Sequence, residues 1–206
     1  MLPACFIAVA IFLRLYGSTH YALAVIKRRA RPNPVSWFFW ALTAAIVFVA
    51  QLAENVGWSA ATTFALALGP LIIFLLSIKY SFSRAHFTPS TIACAIFAAV
   101  GIVLWLNAKD PIIAIVFSIF ADAFSGIPTV IKAWHDPESE YLPAYALSML
   151  SMAITLLTLT NWDFASYAFP LYILGINLII FCIGYFRQLR LIRIRAIRQL
   201  RKVEIE

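Results

Sequence analysis

Long uncharged stretches alternate with short clusters of charge along this chain. Residues 32–53, 55–78, 141–162 and 164–186 carry no Asp, Glu, Lys or Arg. At 1.5 Å of rise per helical residue, about 20 residues cross the roughly 30 Å of bilayer hydrocarbon. Each stretch reaches that length, which a buried helix of a soluble protein rarely needs. Breaks at charges, Pro and Gly predict seven helices, over 4–26, 35–53, 57–79, 90–107, 111–132, 142–160 and 165–187. The fold class predicted is all-α integral membrane protein.

Composition supports this reading over the one or two soluble domains that 206 residues would otherwise suggest. Hydrophobic residues make up 63% of the chain and charged ones 12%, with mean hydropathy +0.90, values that belong in lipid. The N-terminal "MLPACFIAVAIFLR" has no basic leader and reads as the start of the first span rather than a signal peptide. Cys5, Cys94 and Cys182 lie in apolar segments without metal-type spacing and read as packing residues, so no metal or other cofactor is expected.

The net charge of +7 is unevenly placed. With seven spans, every basic residue except Arg14 and Lys109 falls on one side: Lys27 to Arg31, Lys79, Arg84, Lys132 and the C-terminal tail. The positive-inside rule then puts the N-terminus outside and the C-terminus in the cytoplasm, as expected for a plasma (bacterial inner) membrane protein. The tail "RQLRLIRIRAIRQLRKV" reads as a basic amphipathic helix on anionic headgroups, not as a nucleic-acid site.

Landmarks recur along the chain. "VIKRRARP" at 25–32 and "VIKAWHDP" at 130–137 share Val-Ile-Lys, four variable positions and Pro. "LIIF" occurs at 71–74 and 178–181, and Asn55 and Asn161 open matching loops with Trp58 and Trp162 close behind. The expected organisation is a three-helix repeat over 1–80, a linker helix over 81–110, a second repeat over 111–187 and a tail over 188–206. The odd linker makes the two copies parallel.

This 3+1+3 pattern, with "GIPTVIKAWHDPESE" at 126–140 and "RPNPVSWFFW" at 31–40, resembles the SWEET and PQ-loop transporter superfamily, especially bacterial members. Pro128 stands where the family signature has its proline, and Thr129 where it has glutamine. The resemblance implies a seven-helix transporter fold. It also implies an asparagine facing substrate in the third and seventh helices. Asn177 fits the seventh, whereas Pro70 occupies the third-helix position.

Polar residues within the spans are the candidate site. Arg14 and Asp122 lie inside the first and fifth helices, where an unpaired charge costs a few kcal/mol or more. An Arg14–Asp122 pair would offset that cost, either as a structural lock or as the wall of a central cavity. Ser18, His20, Ser125 and Asn177 are expected along the same substrate path. Trp40 is placed to stack on a ring-shaped substrate or to anchor, and Pro128 to act as a hinge. Trp37, Trp58, Trp105 and Trp162 read as headgroup anchors. No HExxH, GxSxG or phosphate-binding glycine loop occurs, so an enzyme is not expected.

The function expected is alternating-access transport of a small solute, sugar-like or vitamin- or nucleoside-like. A non-transporting receptor or scaffold is the alternative. The expected partners are a small-molecule substrate and membrane lipids, with a homo-oligomer allowed.

Overall fold

The computed structural model describes residues 2–80, 88–108 and 110–203, and every regular element among them is helical. The expected charges Arg84 and Lys109 lie outside the described residues, as do the side chains of Cys94, Trp105, Arg198, Arg201 and Lys202. Seven α-helices follow the predicted spans: α1 Phe6–Ile26, α2 Pro34–Ala53, α3 Ala60–Tyr80, α4 Pro89–Ala108, α5 Pro111–His135, α6 Leu142–Thr158 and α7 Phe164–Val203. Four of them, α1, α2, α5 and α7, are long and apolar enough to cross a membrane. So is the stretch Gly57–Tyr80 that contains α3, and α6 is a shorter apolar helix. A helical membrane protein is the class these elements fit.

Local chemistry sets the boundaries. Pro34 and Pro111 open α2 and α5, where the missing N–H costs nothing. The caps before them are Asn33, accepting from Val35 N at 3.0 Å, and Asp110, accepting from Ile112 N at 2.8 Å. At the other ends, α1 and α2 close with left-handed residues, Arg28 (φ 56°) and Asn55 (φ 55°). In both, the next amide reaches back to the last full turn, Arg29 N to Ala24 O at 2.8 Å and Val56 N to Gln51 O at 3.0 Å.

Six helices pack in a closed ring, in the order α1, α3, α2, α5, α7, α6 and back to α1, with α4 outside against α5. Small residues let them approach. A Cβ at Gly69 of α3 would lie 2.2 Å from Ser18 Oγ and 2.9 Å from Ser18 Cβ of α1. Across α1 and α6, Ser151 Oγ donates to Ala10 O at 2.7 Å. Lipid gives no hydrophobic drive for helices to associate, so close contact and interhelical hydrogen bonds hold such a bundle.

Three expectations meet the structure here. The basic tail is helical and continuous with the seventh helix, since α7 runs 40 residues without a break, about 60 Å at 1.5 Å per residue. The helix is also unbroken at Pro128, which sits buried within α5 as that helix continues to His135. The exposed Cys5 is likewise no packing residue.

Candidate functional site

The ring encloses a cavity in its middle and in the half nearer the Lys27 and Lys132 ends. About 40 Å³ is open to the centre of a water molecule, room for about three waters at roughly 10–15 Å³ each. Arg14 and Ser18 of α1, Trp40 of α2, Asp122 of α5 and Asn177 of α7 all stand in its wall, as does Pro70 of α3. Helix α1 can bring Arg14 there because Gly69 yields space to Ser18 one turn away.

Arg14 and Asp122 share the cavity but form no ion pair, contrary to the expected bidentate contact. Asp122 is 1% exposed, and its carboxylate is held from two other helices. Thr43 Oγ1 donates to Oδ1 at 2.6 Å and Tyr172 OH to Oδ2 at 2.8 Å. Arg14 is 8% exposed, and its Nε finds no acceptor among the described residues. The indole Nε1 atoms of Trp37 and Trp40 are buried and also lack an acceptor, and both residues line the same cavity. A buried donor left unmade costs about 1–3 kcal/mol, and three of them sit in the packing around this one void.

Three other expectations come out differently. His20 is not in the cavity wall, since its ring packs on the exposed Tyr16 at 4.2 Å and its Nδ1 meets Tyr16 O at 3.1 Å. Ser125 is fully buried but donates to Asp122 O within its own helix at 2.8 Å. Trp37, expected at the headgroups, is 4% exposed and lines the cavity, while Trp58 and Trp162 are indeed exposed. Glu140, in the acidic loop, is 4% exposed.

Glu140 closes the cavity toward the basic end. Its Oε2 accepts from Tyr21 OH at 2.7 Å and Tyr145 OH at 2.8 Å, and both tyrosines line the cavity. Its Oε1 lies 2.5 Å from Lys132 Nζ, which also donates to the Arg31 carbonyl. Toward the opposite end the bundle is filled by apolar side chains, among them Val47, Ile115, Met152 and Phe169. One end is therefore closed by a few polar contacts and the other by a packed core.

The two loops at the basic end also meet. Arg31 Nη2 lies 2.6 Å from Asp136 Oδ2, and Arg31 N donates to Ser139 O at 2.9 Å. The start of the α7 extension braces the same place, with Gln188 Nε2 donating to Pro137 O at 2.7 Å and Arg195 holding Glu138 through two hydrogen bonds. Those bonds keep the Glu138 carboxyl below the usual carboxylate range.

Thr43, Tyr172, Tyr21, Tyr145 and Glu140 escaped the sequence reading. Thr43 did carry a signal, as the one hydroxyl between Trp40 and Gln51 in an otherwise apolar helix. The tyrosines carried none, because tyrosines near span ends ordinarily read as interface anchors. No protein-family model, curated protein or solved structure matches the chain.

Proposed function

We propose that the chain is a small-solute transporter of two parallel three-helix repeats joined by α4, as the SWEET and PQ-loop resemblance implies, caught closed at both ends. In this reading the N-terminus is outside, the C-terminus is cytoplasmic and the membrane is the plasma (bacterial inner) membrane. Alternating access would come from the two triplets rocking about the cavity.

The observation that carries this reading is how the recurring sequence landmarks map onto the cavity. Aligning the two "LIIF" segments pairs Leu66 with Ile173, Pro70 with Asn177, and Ile73 with Ile180, and all six residues line the void. Aligning the two "VIK" segments pairs Trp40 with Tyr145, both of them cavity residues. The packing order agrees: α1 against α3 and α6 has its counterpart in α5 against α7 and α2. A cavity built from equivalent positions of two units is what a rocking mechanism uses.

The test is counterflow of labelled solutes in proteoliposomes. Saturable exchange supports transport, and its absence across a broad solute panel leaves the receptor or scaffold reading on the same fold.

A further inference from the structure

We infer that the cavity binds the carboxylate of a small solute, with the guanidinium of Arg14 as its donor. This deepens the transport reading and rests on it for the purpose of binding. The chemistry itself stands on three observations.

First, the void is lined by a cation without a partner. Arg14 stands in the cavity wall, 8% exposed, with no ion pair and no acceptor for its Nε among the described residues. A ligand that fits must bring acceptors, and a carboxylate brings two oxygens with about four lone-pair sites. A guanidinium complements it better than it complements a hydroxyl-rich sugar, which must also donate.

Second, the one carboxylate in the cavity is already engaged. Asp122 is held by Thr43 and Tyr172, which draw it away from Arg14. The Arg14 charge is thus left without an anionic contact, which is unusual for a buried guanidinium. Asp122 bears on the rest of the ligand. A solute carrying an ammonium beside its carboxylate would leave the cavity neutral, with one charge toward each residue.

Third, the size is restrictive. Room for about three waters admits an acetate- or glycine-sized molecule and no sugar ring without further opening. The remaining wall is apolar, with Leu66, Ile73, Ile173 and Ile180, and suits a short hydrocarbon body better than a hydrated inorganic anion.

The experiment uses the purified full chain in detergent, with thermal unfolding followed against sodium acetate, propionate, glycine, alanine, D-glucose, chloride and phosphate at constant ionic strength. A bound ligand raises the apparent Tm by mass action. The expected result is a saturable rise with acetate and propionate, or with glycine and alanine, and none with chloride or glucose. Arg14→Gln weakens the response by about tenfold or more. Lys79→Gln leaves it unchanged. A response to the amino acids alone assigns the ammonium to Asp122 and keeps the carboxylate assignment.

No saturable response to any carboxylate, an equal response to chloride or phosphate, or an undiminished response in Arg14→Gln would each overturn the inference. Should Arg14→Gln fail to fold, Arg14→Lys and Arg14→Met take its place, and unchanged affinity in both overturns it. Failures are separable. Carboxylate binding without saturable flux removes only the transport reading, and exchange of glucose without carboxylate binding removes only this one.

Discussion

Arg31 and Asp136 face each other at 2.6 Å, 105 positions apart in the chain, each standing directly before a proline and four residues after a Val-Ile-Lys. The same place in two recurring segments has been given opposite charge, and the two charges meet. The basic loop and the acidic loop are therefore partners rather than independent surfaces. Lys132 strengthens the junction, because it reaches both the Arg31 carbonyl and Glu140.

That relationship predicts a charge-swap result. Arg31→Asp alone sets two carboxylates against each other and lowers thermal stability, and so does Asp136→Arg. The double variant recovers most of the loss. Both side chains are about half exposed, so the coupling in a double-mutant cycle is modest, about 0.2–1 kcal/mol. Strict additivity of the two single effects would contradict the pairing.

The closure at Glu140 makes a larger prediction. Glu140→Ala leaves Lys132 without its buried partner and both tyrosine hydroxyls without their acceptor. Breaking a buried pair from one side costs about 3–5 kcal/mol. The milder Glu140→Gln keeps an acceptor for the tyrosines while removing the ion pair. In a cysteine-free background carrying Ser18→Cys, it speeds labelling by an aqueous thiol reagent from the C-terminal side. Equal labelling rates with Glu and Gln at position 140 would show that the cavity is not closed there.

Gly69 tests the contact that positions Arg14. Gly69→Ala drives a methyl into Ser18 at 2.2 Å from its Oγ and 2.9 Å from its Cβ. Overpacking of this kind costs about 1–3 kcal/mol. Ser18→Ala removes the 2.2 Å contact but keeps the one to Cβ at 2.9 Å, so it relieves the clash in part and Ser18→Gly relieves it fully. Melting curves of Gly69→Ala with each second substitution check the order of stabilities.

The Glu138–Arg195 contact gives a pH dependence whose sign follows from its carboxyl being held low. The contribution is present above the ordinary glutamate pKa, about 4.3, and is lost as pH falls through the depressed folded value. Amide exchange in residues 137–140, corrected for intrinsic rates, therefore quickens in that acid window. In Glu138→Gln the loop exchanges at the faster, acid-like rate at neutral pH too, and this extra pH step disappears.

How much of this was legible beforehand differs by level. Helix positions were, within a few residues, since uncharged length, prolines at helix starts and caps such as Asn33 and Asp110 act locally. The tail, seventeen residues dense in arginine, read as an amphipathic helix, and it continues α7 without a break. A helix needs only its own backbone hydrogen bonds to continue, and Gln188 and Arg195 find partners on the neighbouring loop. Arg14, Ser18, Trp40, Asp122 and Asn177 stand together in one cavity wall, as a polar group inside a span must face protein or water.

Which polar groups touch was settled only by the tertiary structure. In a soluble protein the apolar stripe of a helix marks its inner face. Here the lipid-facing and protein-facing sides are both apolar, so the rotation of each helix is nearly silent in its sequence. Small differences in that rotation send His20 onto Tyr16, bring Trp37 inward, give Asp122 to Thr43 and Tyr172, and leave Arg14 without an anion. The sequence by itself determined how many helices form, where they begin and which segments recur, because those depend on local backbone chemistry and on length against the thickness of lipid. The partners inside the ring depend on close packing between helices, at Gly69 against Ser18 above all, and no single helix carries that information.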